Sequence, residues 1–198
     1  MTRPIIAIDP GAAGGVAWTE SDGTVWAAER VEAAGPDGMK GDAMKYPSPK
    51  ILIDTREQSP LVFAHCPAEV ATLATGDYSI QGFEDEFTIE RKSLDDLAGS
   101  CTHDRERFEK ELVRMRGYPF RRLLVVGTVE DVEAHRYRSR AEPKEILASV
   151  TAFEIRYGMP VAFCQTPAAA ALQIERWAYY FFREKLKTAT ELVERYVR

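Results

Sequence analysis

Apolar residues follow two rhythms along this chain, and the two alternate. Between residues 87 and 92 the rhythm is two: Phe87 and Ile89 share one face of a strand with Arg91, and Thr88, Glu90 and Lys92 share the other. Residues 51–54 form a short apolar run that reads as a buried strand, broken by Ser59-Pro60. Residues 61–64 read as a short helix or a loop covering the strand ends. Residues 122–127, RLLVVG, are apolar without a break, which predicts a central parallel strand buried on both faces. A further strand is predicted at 161–163. The helical rhythm appears at 104–115, where Phe108, Leu112 and Met115 make a stripe. It returns after Pro143 with Ile146, Leu147, Val150, Phe153 and Tyr157, and stops at Gly158 and Pro160. From 168 to 198 it predicts one or two helices, with Ala178, Phe182, Leu186, Ala189, Val193 and Tyr196 in one stripe and Trp177, Tyr179, Tyr180 and Phe181 widening it. Ser93 and Thr128, the latter with Asp131, stand where helix N-caps belong, and Gly82 marks a turn. Alternating strands and helices predict an α/β sandwich around a central mixed sheet flanked by helices.

The first 49 residues behave differently. Residues 4–18 read as strand, tight glycine turn and strand, with Gly11, Gly14 and Gly15 supplying the turn. Residues 25–31 read as another short strand. Residues 35–49 are rich in Gly, Pro and Asp with no hydrophobic period and read as a linker. The expected division is a small β-hairpin appendage at 1–34, the linker, and a main domain at 50–198.

The polar face of 87–92 is where chemistry gathers. Glu90 and Lys92 point the same way, and a hairpin can bring Asp77 beside them. Two carboxylates can hold a hard cation through oxygen. A lysine beside that cation can orient water and offset charge developing on a phosphate. On its own, D…E-x-K is a common feature of solvated strands. It is embedded here in a longer set: DTRE from Asp54, GDY from Gly76, ERKSLDDL from Glu90 and DRERFEKEL from Asp104. In this order the set resembles the ERCC4 nuclease domain of XPF-type structure-specific endonucleases, over roughly residues 50–163.

That resemblance implies a restriction-endonuclease-like fold and cleavage of DNA at branches, flaps or single/double-strand junctions with Mg²⁺ or Mn²⁺. It implies that Asp54, Asp77 and Glu90 form the metal site and that Lys92 is catalytic. Arg56, Glu57, Arg91 and Asp96 fall on its supporting motif positions. It also implies a homodimer or a partner subunit, because members commonly work as dimers. The C-terminal helices lack the paired glycine hairpins of the helix-hairpin-helix module that many members carry. The first hairpin is similar to the start of RuvC-type resolvases, where an Asp in the place of Asp9 binds metal. Only 20 to 30 residues match, and the further carboxylates of that fold are absent, so a structural hairpin is the expectation.

Composition narrows the picture slightly. The formal charge is −5 over 198 residues. That argues against a general nucleic-acid coat but not against a nuclease, since local charge governs a binding face. From Arg91 to Lys144 there are 13 Lys and Arg against 10 Asp and Glu, a modest local excess. Within it Arg105 and Arg107 on the helix, and Arg136 and Arg138 around Tyr137, are candidate DNA contacts, with the Tyr137 ring free to stack on an unpaired base. Cys66, Cys101 and Cys164 show no pairing pattern, which suits a reducing compartment and a cytoplasmic protein. No signal peptide or membrane span is predicted.

Overall fold

The computed structural model describes residues 46–197 together with the backbone of three N-terminal strands. Backbone contacts divide the chain into two units, Met1–Pro47 and Ser48–Arg198. In the first, β1 (Ile5–Asp9), β2 (Gly15–Thr19) and β3 (Val25–Glu29) form an antiparallel sheet in that order, with Asp9 opposite Gly15. The appendage is thus a three-stranded meander. The predicted turn at Gly11 and Gly14 and most of the 35–49 linker lie outside the described residues.

The second unit is built on a six-stranded mixed sheet of order β5-β4-β6-β7-β8-β9. Its strands are β4 (Ile51–Asp54), β5 (Ala68–Ala71), β6 (Tyr78–Ile80), β7 (Phe87–Ser93), β8 (Phe120–Val126) and β9 (Val161–Cys164). β4, β6 and β7 pair antiparallel, whereas β7, β8 and β9 run parallel. Parallel strands need crossovers, and the helices supply them. These are α1 (Leu94–Cys101), α2 (Arg105–Met115), α3 (Val129–Glu133), α4 (Pro143–Tyr157) and α5 (Pro167–Tyr196).

Two cores follow from the two faces of the sheet. On one, Leu97, Phe108, Leu112, Met115, Ile146, Val150 and Phe153 from α1, α2 and α4 pack on Leu123 and Val125. On the other, Ala170, Ile174 and Ala178 of α5 pack on Ile51, Ile53, Tyr78, Ile80, Phe87, Ile89 and Leu124. The predicted apolar run at 122–127 is therefore buried on both sides, with Leu123 and Leu124 facing opposite cores. The caps also stand where the pattern put them: Ser93 and Thr128 accept from the Asp96 and Asp131 amides, and Gly158 ends α4 with φ 57°.

Two open readings are resolved and one strand was not expected. The segment 61–64 is a loop, its Leu61 amide donating to the Tyr78 hydroxyl. β5 was not foreseen, because AEVA on an exposed sheet edge has no two-residue alternation to betray it. The last segment is one helix of 30 residues. At 1.5 Å per residue it is about 45 Å long, roughly twice the length of a seven-residue strand. Its predicted stripe is consequently buried only at the start: Ala178 is fully covered, whereas Val193 and Tyr196 are 57% and 74% exposed.

The hairpin that delivers Asp77 depends on Gly76. Its φ is +79°, and a Cβ there would lie 2.3 Å from Thr88 Oγ1 and 2.9 Å from the Ile89 carbonyl oxygen. Gly76→Ala should therefore cost about 2 kcal/mol or more in urea unfolding, whereas Gly82→Ala, which meets nothing within 4 Å, should lose less through its φ alone.

Candidate active site

Strand alternation on β7 sends Glu90 and Lys92 toward α2, away from the α5 core that takes Phe87 and Ile89. The Asp77 amide donates to the Ile89 carbonyl oxygen at 2.8 Å, and the Arg91 amide donates to Asp77 Oδ2 at 2.7 Å. Those two bonds dock Asp77 against the same stretch of β7. Lys92 Nζ lies 2.6 Å from Glu90 Oε1 and 4.8 Å from the centre of the Phe108 ring. Together with Arg56, Gly76, Ser100, Arg107 and Glu111, these residues line a cavity of about 230 Å³.

Burial governs the electrostatics. Glu90 is 4% exposed; burial, and then the charge of Asp77, push its carboxyl well above the usual range. Asp77 is pushed up by burial, against the Arg91 amide, and further by the charge of Glu57. Burial draws Lys92 down, but the charge and hydrogen bond of Glu90 more than offset it, so the ammonium is retained. Two carboxylates are thus held beside one ammonium where water screens them poorly.

Behind them lies a fixed support. Arg91 Nε and Nη2 grip Glu57 with two bonds of 2.9 Å, and the Ser59 amide donates to the same carboxylate at 2.7 Å. The Tyr78 hydroxyl donates to Glu57 at 3.4 Å. The guanidinium of Arg91 therefore positions the loop after β4, while its amide positions Asp77.

Comparison with known proteins places the chain in a family. The ERCC4 domain model matches residues 53–176. The chain belongs to the ERCC4 domain family. Its ERCC4 domain is similar in structure to XPF from Aeropyrum pernix, with a TM-score of 0.54 and 26% identity, over 66% of this chain and 60% of that one. A second structure, of XPF from Aeropyrum pernix in complex with DNA, matches in fold with a TM-score of 0.54 at 23% identity, over 69% of this chain and 66% of that one. The ERCC4 domain thus spans less than two thirds of the archaeal XPF chains it matches. No curated protein matches the chain.

Of the residues singled out in the sequence, the ERCC4 domain brings Asp77, Glu90, Lys92, Arg56 and Arg107 around one cavity. Glu57 and Arg91 stand behind it. Asp54 is placed elsewhere. It is 2% exposed, Oδ1 accepts from the Arg56 amide and Nε at 2.9 and 2.6 Å, and Oδ2 accepts from the Leu73 amide at 2.7 Å. Both oxygens accept bonds that clamp two loops together, and the side chain does not line the cavity. Although burial opposes it, those bonds hold the Asp54 carboxyl below its ordinary range. Asp96 is also structural in the ERCC4 domain, accepting from Ser93 Oγ at 2.6 Å in the cap of α1.

The expected DNA contacts divide in the same way. Arg107 opens onto the cavity, with Asp104 3.4 Å away. Arg105 does not: it bonds Glu109 and Ser149 at 2.9 Å each and lies over the Phe153 ring, tying α2 to α4. Arg136 pairs with Asp131 at 2.6 Å and Arg138 with Asp95 at 2.9 Å, both outside the cavity lining. The Tyr137 ring is not free to stack on a base. It is 8% exposed, covered by His135, with its hydroxyl donating to the Ala141 carbonyl oxygen.

Glu111 was missed, although a signal existed. It follows Arg107 by four residues, which places the two on one helix face. Among the described residues no three His, Cys, Asp or Glu side chains converge closely enough to hold a metal ion, and no helix is long and apolar enough to cross a membrane.

These placements predict opposite stability effects along one helix. Arg105→Ala should cost about 1–2 kcal/mol in urea unfolding, whereas Arg107→Ala should stay within about 0.5 kcal/mol of wild type. Asp54→Ala, which strands the buried Leu73 amide, should cost about 1–3 kcal/mol.

Proposed function

We propose that this ERCC4 domain is a metal-dependent DNA endonuclease, acting on branched, flap or junction DNA in repair or recombination. The observation that carries the reading is the convergence of Asp77, Glu90 and Lys92 on one cavity with Arg107 at its rim. Membership of the ERCC4 family and the likeness to an XPF seen with DNA support it.

The donor set suits Mg²⁺ or Mn²⁺. Asp77 and Glu90 offer hard oxygens, and burial pushes both carboxyls up. Asp54, whose oxygens accept from Arg56 and the Leu73 amide and which stands outside the cavity lining, is left to a supporting role in this reading. When bound, the ion would supply Lewis-acid stabilisation of charge on the phosphate.

The protein's own residues do the rest. Lys92, held by Glu90 and seated over Phe108, presents ammonium protons that can orient the attacking water and stabilise a developing oxyanion. Arg107 can pair with a neighbouring phosphate and fix the strand across the floor of the cavity. Arg91 and Glu57 keep Asp77 in place as substrate enters.

The test is cleavage of labelled flap, splayed-arm, four-way-junction and plain duplex DNA with Mg²⁺, Mn²⁺ or EDTA. Metal-dependent cutting is expected, lost by about 10²-fold or more in Glu90→Ala and Lys92→Ala, with DNA binding retained. Cutting that survives either change would refute the assignment. DNA binding by the wild type without cutting of any substrate would make the domain a non-catalytic scaffold instead.

A further inference from the structure

Glu111 lines the cavity beside Asp77, Glu90 and Lys92, and it comes from the helix that faces them. Glu111 lies four residues after Arg107 and three after Phe108 on α2, so it shares a helix face with each, and all three line the cavity. The helix cannot roll away from the strands. Arg105 bonds Ser149 on α4, and the Phe108 ring meets Phe153 edge-on at 5.4 Å. The nearest cation to Glu111 is Arg114, 4.0 Å away one turn along the helix and largely in solvent.

Asp54 offers the reverse. Its carboxylate is matched by Arg56 at 2.6 Å and sealed by the Leu73 amide, outside the cavity lining.

We propose that Glu111 is the third acidic group of the cleft and supplies the attraction for a divalent cation that the family pattern would otherwise assign to Asp54. The inference rests on the metal-dependent reading above. Since no three carboxylates among the described residues converge tightly enough to enclose an ion, Glu111 acts through space. It is a charge on the cavity wall opposite the two strand carboxylates, and not a direct ligand. Coulomb attraction falls only as the inverse of distance, so a carboxylate beyond ligand range still draws a doubly charged ion strongly where water is scarce. In this role Glu111 is a positioning residue.

The experiment is Mn²⁺ titration calorimetry on the full chain without DNA, using wild type, Glu111→Gln, Glu111→Asp, Asp54→Asn and Glu90→Gln, each with a thermal melt. Glu111→Gln should weaken Mn²⁺ binding about tenfold, without a loss of melting temperature. Glu111→Asp should recover most of that affinity. Asp54→Asn should melt lower yet bind Mn²⁺ as wild type does, and Glu90→Gln should bind least. Wild-type affinity in Glu111→Gln, or an affinity loss in Asp54→Asn as large as in Glu90→Gln, would overturn the inference alone. A wild-type protein that neither binds Mn²⁺ nor cuts DNA would overturn the metal-dependent reading with it.

Discussion

Two carboxylates and one ammonium are kept out of water at the junction of β6 and β7. A buried charge is costly unless paired and hydrogen-bonded. Glu90 has Lys92, Asp77 has the Arg91 amide, and the sum is still short of positive charge. Such a cluster persists only if the surrounding structure determines it strongly. Gly76 permits the close approach of the two strands, Phe108 backs the ammonium, and α2 is bolted to α4. The site is in this sense a strained cargo, and the sandwich is the frame that carries it.

The frame divides its labour by face. The α5 side of the sheet is apolar and holds the fold together through aromatic and aliphatic contacts, including the parallel stack of Phe87 on Phe120 with ring centres 4.4 Å apart. The α2 side combines a core with the cleft. Arg91 lies at the boundary: its side chain follows the core face as far as Glu57, while its backbone serves the cleft. One residue thereby couples the motif at Asp54–Glu57 to the motif at Glu90–Lys92.

Much of this was legible in the sequence because it rests on periodicity. The two-residue alternation of β7 separates Glu90 and Lys92 from Phe87 and Ile89, and the unbroken run at 122–127 announces a strand covered on both faces. Caps such as Thr128 with Asp131 are local chemistry and were read correctly. What escaped depends on tertiary contact. Nothing in AEVA distinguishes an edge strand from a loop. Asp54 looks like a ligand by position, and nothing local shows that the Leu73 amide, 19 residues away, donates to it. Tyr137 looks available until His135 lies over it. The direction in which Glu111 faces is set by α4, far along the chain.

The central position of β7 has a consequence for motion. β7 is paired on both sides, antiparallel to β6 and parallel to β8, so its amides open only when the sheet itself comes apart. The loop from Thr55 to Pro67 is hung instead on side-chain anchors, chiefly Asp54 and Glu57, and leads into an edge strand. The cleft therefore has one wall set in the sheet ladder, which carries Glu90 and Lys92, and one wall set by side-chain bonds, which carries Arg56. The geometry of the first is tied to the stability of the whole sheet, and that of the second to the local stability of one loop.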